Sequence, residues 1–251
     1  MMRLLSLLLL LATLVPETKA QFVWPGDVNN NGIVNQVDLL YVGIAFGATG
    51  PGRPDENTDW EAMPVPGLWS ESFPDGLNYH YADTDGNGVV NSDDVDDAIE
   101  GNYGLTHGIV SGDGYQNASA GEGAPSFRFE ANMLVVEPGE ILTIDLFLDD
   151  IPEDPSDVYG MALDMSYSVG FIEGDDGPDF DLTEDSWLNT GNDSFLELFE
   201  EGDGNGQADL GLSRTDLQTV TPGAEPIGQI SIVIEDIIVG LIIDTFELSI
   251  D

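Results

Sequence analysis

The chain has 251 residues, of which 48 are Asp or Glu and five are Lys or Arg, for a formal net charge of −43. Such a charge repels nucleic acid and anionic membranes and excludes them as electrostatic partners. Cysteine is absent, which excludes disulfide bracing and a thiol nucleophile.

Residues 1–20 begin Met-Met-Arg3, continue in a leucine-rich run from Leu4 to Val15, and end Thr18-Lys19-Ala20. A basic start, an apolar run and a small-residue exit predict a secretory signal peptide cut after Ala20. The run is shorter than the roughly 20 residues that span a bilayer. No cysteine follows the cut to carry a lipid, and the apolar Ile237–Ile243 is too short to cross a membrane. A secreted protein, extracellular or at the cell surface, is expected. After the cut its only basic side chains besides histidine are Arg53, Arg128 and Arg214.

Two twelve-residue stretches then follow one formula. The first places Asp27, Asn29, Asn31, Asn35 and Asp38 at positions 1, 3, 5, 9 and 12. The second places Asp83, Asp85, Asn87, Asn91 and Asp94 at the same positions. Both have glycine at position 6, Gly32 and Gly88, and six of the twelve positions are identical. Alternate residues of a tightly curled loop point inward, and a hard cation such as Ca2+ takes six to eight oxygens. Position 7, here Ile33 and Val89, contributes a backbone carbonyl, and the glycine permits the sharp turn. Two Ca2+ sites are predicted, the second tighter because it has three carboxylates against two.

A short helical pattern follows each loop. Leu39, Leu40, Val42, Ile44 and Phe46 make the first, and Gly47 stops it. In the second, Val95, Ala98, Ile99 and Tyr103 form the apolar face, Asp93, Asp96, Asp97 and Glu100 the polar one, and Gly104 the stop. Neither loop has a helix before it. The unit is loop–helix, twice, and it resembles the type I dockerin family over roughly residues 23–108. The resemblance implies two antiparallel units, two bound calciums and a partner β-sandwich of the cohesin type. Positions 10 and 11 carry recognition in that family. They are Gln36 and Val37 in one unit, Ser92 and Asp93 in the other, and neither pair is the Ser-Thr type frequent there. The long insert between the units, about 49–81, also departs from the family. Its prolines argue against regular helix, and Trp60 and Trp69 are expected to pack over the helix pair.

Residues 109–125 turn to Gly, Ser, Ala and Asn and read as a linker. Period-two alternation then begins, in Leu142, Ile144, Leu146, Leu148 and again in Tyr159, Met161, Leu163, Met165, Tyr167. Phe127–Phe129, Met133–Val136, Phe195–Phe199, Ala208–Leu212, Ile227–Ile234 and Phe246–Ile250 are further predicted strands. Many short strands predict an antiparallel β-sandwich over 126–251, expected to be truncated because the chain stops at a strand end. Val158–Tyr167 and Ile227–Ile232 give this half a pattern similar to the cohesin and carbohydrate-binding sandwiches. Asp203, Asn205 and Asp209 have the spacing of a third loop. Arg214, standing where its closing carboxylate should be, makes it a hairpin turn.

The fold class is therefore mixed: a small α-helical, duplicated loop–helix domain (21–108) beside an all-β antiparallel sandwich. His80 and His107 are the only histidines, and neither has a nucleophile-elbow partner, so no enzyme is expected. The dockerin resemblance implies extracellular protein–protein assembly, with polysaccharide breakdown or cell-surface structure as its setting. The expected partner is a cohesin-type protein or the chain's own sandwich. The alternative is a glycan-binding sandwich stabilised by calcium, with possible polysaccharide contact through the Trp60/Trp69 insert.

Overall fold

The computed structural model describes residues 21–108, 110–111, 126–149, 158–170, 172, 177–191, 195–202, 205–235 and 245–250. The expected signal segment, nearly all of the linker, Asp203 and Ile237–Ile243 lie outside them.

The second half is two four-stranded antiparallel sheets facing one another. One has the order β3-β4-β9-β6, built from β3 (Ser126–Ala131), β4 (Ile141–Asp149), β9 (Gly228–Val233) and β6 (Asp179–Leu182). The other has the order β10-β5-β8-β7, built from β10 (Leu248–Ile250), β5 (Gly160–Tyr167), β8 (Gln207–Arg214) and β7 (Phe195–Glu201). Alternation sends Leu142, Ile144, Leu146 and Leu148 of β4 inward, to meet Met161, Leu163, Met165, Leu210 and Leu212 from the facing sheet. The hairpin predicted before Gln207 joins β7 to β8, with Glu200 opposite Asp209 and Leu198 opposite Gly211. Met133–Val136 is not a strand: these residues lie in the β3–β4 connection, and Leu134 and Val135 are 96% and 82% exposed. An apolar run without a strand partner carries no ladder. Strand β6 has no signal of its own, since Asp179 and Asp181 take its outward positions and only Phe180 is buried.

The first half holds one α-helix, α1 (Gln36–Ala45), a six-residue π-helical segment (Asp94–Ile99), a 3-10 turn (Tyr79–Tyr81) and a two-stranded ribbon of β1 (Phe22–Val23) and β2 (Met63–Pro64). Asn35 caps α1. Its side chain accepts from Val37 N, and Asp38 reaches back to Asn35 N in a capping box. The second helical pattern closes with Glu100 N donating to Val95 O, one residue wider than an α-helix. Its predicted faces stand: Val95, Ala98 and Ile99 are buried, while Asp96, Asp97 and Glu100 are exposed. Gly47 and Gly104 end the two segments with φ of 81° and 73°.

The two units interlock. The chain leaving α1 pairs with the second loop, through Gly47 N to Val90 O, Val90 N to Ala48 O and Gly50 N to Gly88 O. The chain leaving the π-helical segment pairs with the first loop, through Gly104 N to Val34 O, Val34 N to Leu105 O and His107 N to Gly32 O. The insert contributes core to this body. Trp69 and Phe73 are buried with Val28, Leu39, Val42, Val90 and Ile99. Trp60 is partly covered, and its ring lies 5.0 Å from that of Trp24.

Candidate metal loops and docking face

Each loop is wound around its last carboxylate. Asp38 Oδ1 accepts from Val28 N (2.8 Å) and Asn29 N (3.0 Å) while Oδ2 accepts from Asn35 N (2.9 Å). Asp94 repeats this, with Oδ1 accepting from Thr84 N (2.6 Å) and Asp85 N (3.2 Å) and Oδ2 from Asn91 N (2.8 Å). One aspartate thus closes the loop and starts the helix. The first carboxylates hold the turn from the other side. Asp27 takes Asn31 N and Gly32 N, and Asp83 takes Gly88 N, each at 3.0 Å. Gly32 and Gly88 adopt φ of 98° and 87°, as the spacing predicts.

The acids so gathered are buried. Asp27, Asp38, Asp83 and Asp94 are all at most 2% exposed. Burial pushes the Asp83 carboxyl up to about 6 and that of Asp94 up to about 7, with Asp85 adding repulsion in both. Burial also raises Asp38 well above the carboxylate range, and Asp27 repels it further. A buried carboxylate without a countercharge is costly, and a divalent cation removes that cost. The space fits one: one oxygen each from Asp83, Asp85 and Asp94 lies within 4.8 Å of the others. Ca–O bonds of about 2.3–2.6 Å span that separation across an ion. Asp27, Asn29, Asn31, Ile33, Asn35 and Asp38 would hold one ion, and Asp83, Asp85, Asn87, Val89, Asn91 and Asp94 the other.

A basic side chain braces each loop. Arg53, 4% exposed, donates from Nη1 to Asp83 O (2.6 Å) and from Nη2 to Thr84 O (2.7 Å). His107 Nε2 lies 2.6 Å from Asp27 Oδ2, its ring stacked on Trp24. The other histidine, His80, is buried beside Asn78, with Nδ1 2.7 Å from Asn78 Oδ1.

Helix α1 has a second task. It lies across the outer face of the β10-β5-β8-β7 sheet, against β5, β7 and β8. Small residues make the seat. A Cβ on Gly43 would stand 2.9 Å from Arg214 O and collide with the Ser213 side chain. One on Gly211 would stand 2.9 Å from Gln36 O, and one on Gly160 2.9 Å from Leu40 Cδ2. Leu196 and Leu198, on the outer side of β7, complete the core of the loop–helix body.

Polar contacts mark the two ends of the seat. The Gln36 amide donates to Asp164 Oδ1, and Tyr103 OH donates to Asp209 Oδ2 (2.8 Å) and lies 3.0 Å from Gln36 Oε1. At the far end Tyr159 OH donates to Gly43 O (2.6 Å). Burial raises the Tyr159 hydroxyl to about 12 and holds Tyr103 further above its ordinary range, so both stay donors. Asp164, Asp209 and Glu200 are neighbours across β5, β8 and β7 and border an open groove of about 760 Å3 with Glu100 on its far wall.

The predicted recognition residues divide. Gln36 is inside this contact, and Val37 beside it is buried. Ser92 and Asp93 are exposed. The positions equivalent to Leu40 and Gly43, which meet Gly160 and Ser213, are Asp96 and Ile99: the acid would join a face that already carries Asp164, Asp209 and Glu200, and the isoleucine would fill the space that Gly43 leaves. Two residues of the site give no signal in the sequence: Tyr159 and Tyr103 read as core, yet their hydroxyls hold the two bodies together. Arg53 is a third, an isolated cation in a proline-rich stretch.

No protein-family profile matches the chain, and no curated protein does. Among solved structures it is similar to the sixth cohesin of scaffoldin B from Acetivibrio cellulolyticus, solved with a Cel5 dockerin mutant. That match has 15% identity and a TM-score of 0.35, over 50% of this chain and 81% of that one. It is also similar to a type I cohesin–dockerin complex from Clostridium thermocellum, with 9% identity and a TM-score of 0.34 over 50% and 82%. Likeness at this level assigns no role to the chain.

Proposed function

We propose that this chain is an exported, non-catalytic, calcium-stabilised assembly protein. Its dockerin-like loop–helix body is a plug, and a β-sandwich sheet is the socket. The observation that carries the reading is the seating of α1 on β5, β7 and β8, where Gly43 and Gly211 bring backbone to backbone, Gly160 makes room for Leu40, and Gln36 and Tyr103 reach Asp164 and Asp209. The partner in this arrangement is the chain's own sandwich. Calcium would supply countercharge to the buried aspartates and fix the loops from which α1 starts. The setting implied by the family resemblance is extracellular assembly connected with polysaccharide.

Isolated short helices are marginal in water, so the plug depends on its ions. A ligand at a hundredfold excess over Kd adds about 2.7 kcal/mol per site. Hydrogen exchange on the mature chain, with millimolar calcium and then with chelator, tests this. Chelation is expected to strip protection from 36–45 and 94–99 while β4 and β9 keep theirs. Equal protection in both states, or metal analysis finding no calcium on the protein, sinks the proposal.

A further inference from the structure

The two halves of the chain meet through a non-covalent face and are joined by one run of chain. Separating them exposes Leu196 and Leu198 on the sandwich and the covered side of α1 on the plug. Each bare face is matched by the other, in apolar area, in small-residue relief and in donor–acceptor pairs. The second helical segment has Asp96 and Ile99 where α1 has Leu40 and Gly43, and so lacks both the apolar contact and the gap that seat α1.

We propose that the socket also takes α1 from a second copy of this chain, so that copies are cross-linked plug to socket once self-closure is broken. The inference rests on the plug-and-socket reading above and names its partner. The exchanged contact is the same: Gln36 of one copy meets Asp164 of the other, and Gly43 of one meets Ser213 of the other. Exchange leaves a plug and a socket vacant in an open chain of copies, or none in a closed ring. A tether of this kind holds plug and socket at an effective concentration in the millimolar range. The wild-type chain is therefore closed on itself at micromolar concentration, and exchange becomes visible only when self-closure is blocked.

Two full-length variants block it from opposite sides. Gly43→Phe spoils the plug and keeps the socket, while Gly211→Phe spoils the socket and keeps the plug. Each alone, with calcium, is expected to be a monomer by light scattering. An equimolar mixture at about 100 μM, well below the tether's effective concentration, is expected to give a one-to-one heterodimer that chelator dissociates. A mixture that stays monomeric overturns exchange. Should either variant fail to fold by circular dichroism, Gln36→Glu, which faces Asp164, and Ser213→Phe replace them and are read in the same way. Calcium calorimetry on the wild-type chain separates the two claims. No binding there defeats the calcium-dependent plug itself, whereas binding without heterodimer defeats only the exchange.

Discussion

Asp38 and Asp94 show how much one side chain can carry. Each closes a loop by accepting from two early backbone N–H groups and starts a helix by accepting from a third. Asp94→Ala should therefore weaken calcium binding at the second loop far more than Gln36→Ala, because Gln36 faces the sandwich. Calorimetric titration of both variants checks the ranking. Gly43 is the converse case, where having no side chain is the function. Helix propensity favours Gly43→Ala by up to about 1 kcal/mol. The added methyl nevertheless meets Ser213 and Arg214 O, and overpacking of this kind costs about 1–3 kcal/mol. A net loss of stability in denaturant melts is expected. Arg214, 2% exposed, donates to Leu188 O (2.6 Å) and Thr190 O (3.1 Å) and pairs with Asp216. Arg214→Met strands both carbonyls and should cost about 1.5–3 kcal/mol, as for hydrogen bonds to a charged group.

At the scale of elements, β8 works on both sides. Ala208, Leu210 and Leu212 face the sandwich core, while Asp209, Gly211 and Ser213 face the plug. Leu210→Ala should cost about 2–5 kcal/mol by opening a cavity, whereas changes on the outer side should act on docking. The outer side also has a pH dependence. Burial raises Asp209 above its ordinary value, against the hydrogen bond from Tyr103, and Asp164 repels it further. Glu200 is raised by burial and by repulsion from Glu100 and Asp209. A carboxyl raised in the docked state takes up a proton more readily there. Its stabilisation is present at low pH and fades as pH rises through the raised value. In saturating calcium, the wild-type chain should thus lose protection of α1 as pH rises from the ordinary carboxylate range. Asp209→Asn should lose less, which hydrogen exchange at several pH values would show.

For the whole molecule, the charge of −43 matters most where the two bodies meet. Glu100 on the plug faces Glu200 and Asp209 on the socket, and their repulsion is long-ranged in dilute buffer. The Debye length falls from about 30 Å at 0.01 M salt to about 10 Å at 0.1 M. Added sodium chloride should therefore strengthen docking, up to the point where Gln36, Tyr103 and the buried leucines decide it. Protection of α1 that falls with salt instead would show that ion pairing holds the bodies together.

Much of the local structure was legible in the residues. The oxygen spacing, the glycine turns, the stops at Gly47 and Gly104 and the alternation of β4 and β5 each depend on neighbours a few positions away, and local sterics and hydrogen bonding enforce them. The strand β6, the loop at Met133–Val136 and the π-helical closure were not legible, because partners distant in sequence decide whether a ladder or a turn forms. The docking face lay furthest from view. Glycines at 43, 160 and 211 carry no hydrophobic signal, and a hydroxyl at Tyr103 finds its acceptor 106 residues away. Sequence alone determined which oxygens the loops gather and which faces must be buried. Only the tertiary structure decided that α1 buries its face on the chain's own sheet, because complementarity of relief exists only once both surfaces are folded.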